Sequence, residues 1–264
     1  MKRYFLYDIN SVFIKEMKDY YKDKSMIVMT IIQPLMWLIL MGVGMGGMLN
    51  DNPYIDKMLG GAPNYITYLF PGILIMTALY GGLYGGVTLL NDIRFGYIVR
   101  MNTSPINRKA IILGKMGSSV FQTLLQIIVL VLISTFLGVE YNKAFFSIIA
   151  SILIASIFCI TMTGVSLILS MIFKTHNAIY SLVSFITLPL MFTSNAIFPN
   201  TNIPVWLDLI TKINPITYAV NAIRSMLQCE FSKMFFASCM VLIILCVLSL
   251  LITWKKFSEK FGAK

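Results

Sequence analysis

Six long apolar runs, at about 26–49, 66–90, 116–139, 144–172, 178–198 and 235–254, leave this chain few ways to fold. A run of about 20 apolar residues matches the hydrocarbon thickness of a bilayer when helical. In lipid a helix satisfies its own backbone polar groups. The six runs take up most of the 264 residues. The expectation is an all-α integral membrane protein with six transmembrane helices, and no room for a soluble catalytic domain. Residues 1–25 form an N-terminal interface segment, 26–254 the membrane domain and 255–264 a basic tail. Composition agrees: 12% of residues are charged, against about a quarter in soluble domains. The first run follows a polar start and has no small-residue cleavage site, so it is not read as a removable signal. Cys159, Cys229, Cys239 and Cys246 make no CxxC pair and read as small hydrophobes.

Charge sets the orientation. With the N-terminus inside, 16 of the 21 Lys and Arg fall on the inner face, as basic flanks favour the cytoplasm. Both termini are then cytoplasmic, in a multi-pass protein of the cell membrane. The net charge of +10 reports this topology and contact with anionic lipid headgroups, not nucleic acid.

Residues 4–21 place Phe5, Leu6, Ile9, Val12, Phe13, Met17 and Tyr20 at spacings of three and four, with Asp8, Lys15, Glu16, Lys18 and Asp19 largely opposite. This predicts an amphipathic helix in the inner interface; a cytoplasmic helix packed on a partner is the alternative. Pro34 in the first run frees a carbonyl that needs protein or water nearby. "GVGMGG" at 42–47 matches GxGxxG but follows no strand, so it is not read as a nucleotide site. "YGGLYGG" at 80–86 holds two overlapping GxxxG pairs, suited to close helix contact within the chain or between copies. Tyr80 and Tyr84 stand one turn apart, as do Gln122 and Gln126. With Gln33 they are candidates for a substrate path; most span polar groups read as packing. Pro189 interrupts the fifth run.

Segment 199–234 reads as two short helices. Pro204 starts the first, and Asn214 ends it and caps the second, with Pro215 at the second's first position. Tyr218 and Arg224 follow. A re-entrant hairpin in the outer leaflet fits best, with a lid resting outside as the alternative.

The six runs contain no Asp, Glu, Lys, Arg or His. Ion-coupled carriers usually place such groups in the membrane, and intramembrane proteases need carboxylates or HExxH. "LGKMGSS" at 113–119 is not a P-loop. Uphill transport would therefore take its energy from another chain. No metal site or catalytic set is expected, and no cofactor on this chain.

"NDIRFGYIVRMNTSPINRKA" at 91–110 joins the second and third runs. The second span ends near Asn91. Ile93, Phe95, Ile98, Val99 and Met101 form the apolar side of a short helix. Ser104 caps the next helix, with Pro105 at its first position and Arg108 and Lys109 on its first turns. The result is a rigid cytoplasmic elbow. Continued to 115, as "NDIRFGYIVRMNTSPINRKAIILGK", the stretch is similar through Asp92, Arg94, Gly96, Ser104, Pro105, Arg108, Gly114 and Lys115 to the signature loop of the ABC type-2 transport permease family, the membrane subunits of ATP-binding-cassette exporters. "INPITYAVNAIR" at 213–224 is similar to that family's outer NP-x-x-Y with its trailing Arg. The resemblance covers nearly the whole chain. It implies that the elbow, with Asp92, Arg94, Phe95, Gly96, Arg100, Ser104, Pro105 and Arg108, couples to a separate ATP-binding subunit that carries the ATP and Mg. It also implies a second permease copy, identical or not. The short hydrophilic parts look most like the daunorubicin-resistance type, which implies efflux of drugs or lipid-like amphipathic compounds. Export of a lipid-linked polysaccharide or teichoic-acid-like polymer is the alternative; an ion-coupled carrier and a lipid-acting enzyme fit less well.

Overall fold

The structure, a computed structural model, describes residues 2–49, 59, 61–98, 100, 106–173, 175–198, 203–229 and 231–261. Nine helices lie among them, in the order α1 (Lys2–Lys22), α2 (Lys24–Leu49), α3 (Tyr65–Arg94), α4 (Arg108–Phe136), α5 (Ala144–Ile172), α6 (His176–Phe192), α7 (Val205–Ile213), α8 (Pro215–Gln228) and α9 (Lys233–Phe261).

Five of them, α2, α3, α4, α5 and α9, are long and apolar enough to cross a membrane. The fifth expected span is shorter: α6 has 17 residues and gives way to turns through 193–198. Together helix and turns still reach from one end of α3 to the other. Ile179 packs with Val87 and Leu90 near the end of α3, and the Asn195 carbonyl accepts from the Tyr68 hydroxyl near its start (3.2 Å). The sequence overestimates this helix because Pro189 and the Thr193–Asn195 turn lie inside an unbroken apolar run, which hydropathy alone cannot divide.

The helix α3 is the axis of the bundle, buried along most of its length. Lipid tails are as apolar as the side chains, so close packing rather than water exclusion holds such helices together. The overlapping glycine pairs supply it, both inside the chain. Gly82 and Gly86 face α5, and Gly81 and Gly85 face α4. A Cβ on Gly82 would stand 2.7 Å from the Cys159 carbonyl oxygen, and one on Gly85 would stand 2.7 Å from Ser119 Oγ. Ser166 fills the groove, accepting from the Gly86 N–H (3.1 Å) and donating to the Leu83 carbonyl.

Most α5 hydroxyls bond their own helix: Ser151 to the Ser147 carbonyl (2.7 Å), Ser156 to Ile152 (2.8 Å) and Thr163 to Cys159 (2.8 Å). They are packing groups, as expected. The outward faces carry large apolar side chains, among them Phe136, Phe145 and Phe185, as a lipid-facing surface requires.

The loop ends sort to opposite poles. Asn64 donates to the Gly138 carbonyl (3.1 Å) and the Asn142 N–H to the Leu227 carbonyl (3.2 Å) at one pole. Arg94, Asn107 and Lys115 lie at the other.

Candidate functional site: a cavity among the long helices and a buried charge cluster at the basic pole

The five residues proposed for a path come from three helices, and they line one cavity. Gln33 stands on α2, Tyr80 and Tyr84 on α3, Gln122 and Gln126 on α4; the cavity measures about 110 Å³. Spacings of four put each pair on one helix face. Trp37, Ile73, Met76 and Met191 complete an apolar wall. Pro34 lacks the N–H that would bond the Thr30 carbonyl, and both residues line the same cavity. The amides of Gln33, Gln122 and Gln126 and the Tyr80 hydroxyl have no hydrogen-bond partner among the described residues. Gln126 is only 6% exposed. Gln122 is half-buried and Gln33 exposed, so the three amides offer polar groups to whatever occupies the cavity.

Below it, toward the basic pole, opens a larger cleft of about 630 Å³. The two share Met26, Tyr84 and Gln122. The cleft carries Asp19, Asp23, Asn91, Tyr97 and Arg100, among others.

One wall of the cleft is a charge cluster that sequence reasoning missed. Lys115 Nζ lies 2.7 Å from Glu16 Oε1 and 2.7 Å from Asp92 Oδ2, and all three side chains are at most 4% exposed. Lys15 pairs with Asp92 and with Glu16 (3.0 Å), and lies 3.5 Å from Asp19. Thr88 accepts from Lys115 (3.2 Å). Burial alone would favour neutral Glu16, but Lys115 and Lys15 outweigh it and hold its carboxyl below the ordinary range. Burial likewise opposes charge on Lys15, yet Glu16 and Asp92 raise its ammonium above the usual lysine value.

The cluster ties α1 to α3 and α4. Gly114 makes room for it: a Cβ there would stand 2.7 Å from Val12 Cβ. The neighbouring Lys115 then reaches Glu16, one helical turn beyond Val12. The Asp8 carboxylate accepts from the Asn107 N–H (3.0 Å) at the head of α4. The helix α1 therefore turns Val12, Met17 and Tyr20 inward, and Glu16 is not on its outer polar face. The signal for this was present: Val12, Glu16 and Tyr20 share one spacing of four. Lys115 and Asp92 also place ionisable groups inside the long apolar helices, just beyond the ends of the expected spans.

At the elbow, α3 runs past Asn91 to Arg94 and turns at Phe95 and Gly96, where Gly96 has φ +71°. That left-handed conformation favours glycine. Phe95 is 70% exposed whereas Ile98 is buried, so the two do not share an apolar face. Arg94 and Arg100 are exposed and Arg108 is half-buried. Asp92 points inward to Lys115. The helix α4 begins at Arg108, capped by Asn107, whose side chain accepts from the Lys109 N–H (3.0 Å). The cap expected at Ser104 falls outside the described residues. Ser104, Pro105, Val99 and Met101 themselves lie outside the described residues.

At the opposite pole Asn214 ends α7 and caps α8, accepting from the Ile216 N–H (2.9 Å), with Pro215 at the first position. Its amide donates to the Leu190 carbonyl (2.6 Å) and to Thr193 (3.1 Å), pinning the junction to the end of α6. The Tyr218 hydroxyl donates to the Lys212 carbonyl. Arg224 lies 3.9 Å over the Tyr68 ring and donates to the Tyr68 (3.3 Å) and Asn195 (3.2 Å) carbonyls. The helix α8 is buried against the bundle, while Val205, Trp206 and Ile213 of α7 face outward.

A family model described as ABC-2 type transporter matches residues 7–228. A transport permease designated ycf38 of Cyanophora paradoxa is 33% identical over 197 residues, covering 74% of this chain and 65% of that protein. Its counterpart in Porphyra purpurea is 32% identical over 195 residues, with the same coverage. The chain thus aligns with just under two thirds of the length of these relatives. The daunorubicin resistance ABC transporter permease protein DrrB1 of Streptomyces coeruleorubidus is 21% identical over 198 residues, covering 75% of this chain and 67% of that protein.

Proposed function

The chain belongs to the ABC-2 type transporter family, and from that premise we propose that it is the membrane permease of an exporter that moves amphipathic or hydrophobic compounds out of the cell. One observation carries this reading: the uncharged, partly unsatisfied cavity lined by Gln33, Tyr80, Tyr84, Gln122 and Gln126, joined to a cleft at the basic pole. A solute entering from the cytoplasm meets the cleft first and the cavity second. The apolar wall and unpaired amides suit drug-like or lipid-like cargo, and the similarity to a daunorubicin resistance permease points the same way.

In this reading six segments cross the plasma membrane, α6 with its following turns being the fifth crossing, and both termini are cytoplasmic. The helices α7 and α8 form the outer re-entrant hairpin. A separate ATP-binding subunit holds ATP and Mg and seats on the elbow through the exposed Arg94, Phe95 and Arg100. A push there reaches the path directly, because α3 and α4 carry both the elbow and the cavity walls. The charge cluster carries α1 with them. A second permease copy completes the translocation pathway.

The test is co-expression with an ATP-binding subunit of this transporter family. ATPase activity that needs both chains, rises with a lipophilic drug and falls when Phe95 is replaced by Asp supports the reading. A complex whose ATPase ignores both drug and variant contradicts it.

A further inference from the structure

Arg224 carries a charge that the fold does not answer. The helix α8 packs it against the start of α3, where Nη2 donates to the Tyr68 and Asn195 carbonyls and the guanidinium lies over the Tyr68 ring. Its Nε is sealed from solvent without a hydrogen-bond partner, and no carboxylate pairs with it among the described residues. An arginine stays protonated in a protein, and a buried charge is ordinarily paired. Further unmatched groups surround it. Of the five buried side-chain atoms without a partner among the described residues, three sit here: Arg224 Nε, Asn195 Oδ1 and Thr217 Oγ1. Asn195 and Thr217 are 9% and 7% exposed. Thr217, Asn221 and Arg224 stand at spacings of four and three, on one face of α8. The Asn195 amide donates to Asn221 across that face. The two amides bond equally well turned over, and Asn195 then presents a spare N–H rather than a spare oxygen. The strip is reached from outside the bundle, because Asn221 and Arg224 are only half-buried. Water would satisfy the N–H groups but leave the charge uncompensated. An anion does both, and the fork of an arginine suits phosphate. Depth points to a bilayer lipid as its bearer. Tyr68 is three residues into α3, about 4.5 Å from that helix end, and the headgroup layer on each side of a bilayer is about 5–7 Å deep.

We propose that Arg224 binds a phosphate group at the pole opposite the basic one, with the Asn195 amide as its second donor. The site lies apart from the proposed cargo path, and its occupancy is measurable on this chain without any ATPase. The purified chain is placed in digalactosyl lipid nanodiscs doped with one of two probes that share their acyl chains. One is phosphatidylglycerol with a diazirine on its headgroup; the other is a digalactosyl lipid with the same diazirine. After irradiation the crosslinked peptides are mapped by mass spectrometry. The phosphate probe should label 193–198 and 215–228, and the galactolipid probe should not. Arg224→Gln should cut that label about tenfold, while label at the basic pole, an internal measure of folding, stays unchanged. Lys233→Gln, which removes an exposed charge at the same pole, should change nothing. Displacement by unlabelled phosphatidylglycerol but not by excess inorganic phosphate assigns the phosphate to a lipid. Displacement by both keeps the phosphate site and assigns it to the free ion. No label at 193–198 and 215–228, equal label from the two probes, or label that persists in Arg224→Gln overturns the proposal. Should Arg224→Gln fail to fold, the comparison of the two probes on the parent chain decides alone. Failure of ATP-dependent export with this labelling intact would sink the export reading alone.

Discussion

Lys115 and Glu16 lie 99 residues apart in the chain, yet their charged atoms stand 2.7 Å apart with both side chains all but sealed from solvent. Asp92 closes on the same ammonium at 2.7 Å. Three helices meet at that point: α1 and the two helices, α3 and α4, that flank the elbow.

Removing one partner from such a cluster leaves charge buried without compensation, which costs about 3–5 kcal/mol. Lys115→Met should therefore lower thermal stability in detergent strongly. The triple variant Lys115→Met, Glu16→Gln, Asp92→Asn should recover part of the loss, because only Lys15, 29% exposed and 3.5 Å from Asp19, remains charged there. Equal melting of Lys115→Met and the parent protein would show that the cluster holds nothing together.

The same groups fix a pH dependence. The folded-state pKa of Glu16 is depressed, so its contribution is present above the ordinary carboxylate value, about 4.3, and is lost as pH falls below it. That of Lys15 is raised, so its contribution persists through neutral pH and is lost only above the ordinary lysine value, about 10.4. Amide hydrogen exchange along α1 should stay slow from about pH 5 to 9, after correction for the intrinsic rate. It should accelerate selectively on acidification below about pH 4. Release of α1 near pH 7 would contradict this.

Two glycines in sequence-similar settings should respond oppositely. Gly86→Ala forces a Cβ into Ser166 of α5 and should destabilise by about 1–3 kcal/mol, the usual cost of overpacking. Nothing lies within 4 Å of a Cβ on Gly44, so Gly44→Ala should be neutral or stabilise by up to about 1 kcal/mol through helix propensity. Melting curves of the two variants decide it.

How much of this was legible in the sequence differs by physical cause. The Asn214–Pro215 junction was readable because a cap and a proline act locally, within four residues. The cavity residues were readable because spacings of four put Tyr80 with Tyr84 and Gln122 with Gln126, and an amide in an apolar run needs a reason. That Gln33 joins them depends on how α2 leans on α3 and α4, which no local pattern encodes. The charge cluster was missed because Glu16 was assigned by its polarity, although it keeps register with Val12 and Tyr20. Its partners come from helices about 75 to 100 residues away. The fifth span was drawn too long because hydropathy does not register a turn among apolar residues.

Topology gives an independent check. In a background without cysteines, a single cysteine at Asn142 should react with an impermeant maleimide added outside intact cells, and one at Tyr97 should react only after permeabilisation. The reverse labelling would invert the assignment of the basic pole.

The account's central claim is that this chain supplies a path and no motor. The direct measurement is transport of a fluorescent amphipath into inside-out vesicles that contain this chain alone or with the proposed ATP-binding subunit. The account predicts accumulation above equilibrium only with both chains and ATP, and passive equilibration or none with this chain alone. Uphill accumulation by this chain alone, driven by a proton or sodium gradient without ATP, would contradict it.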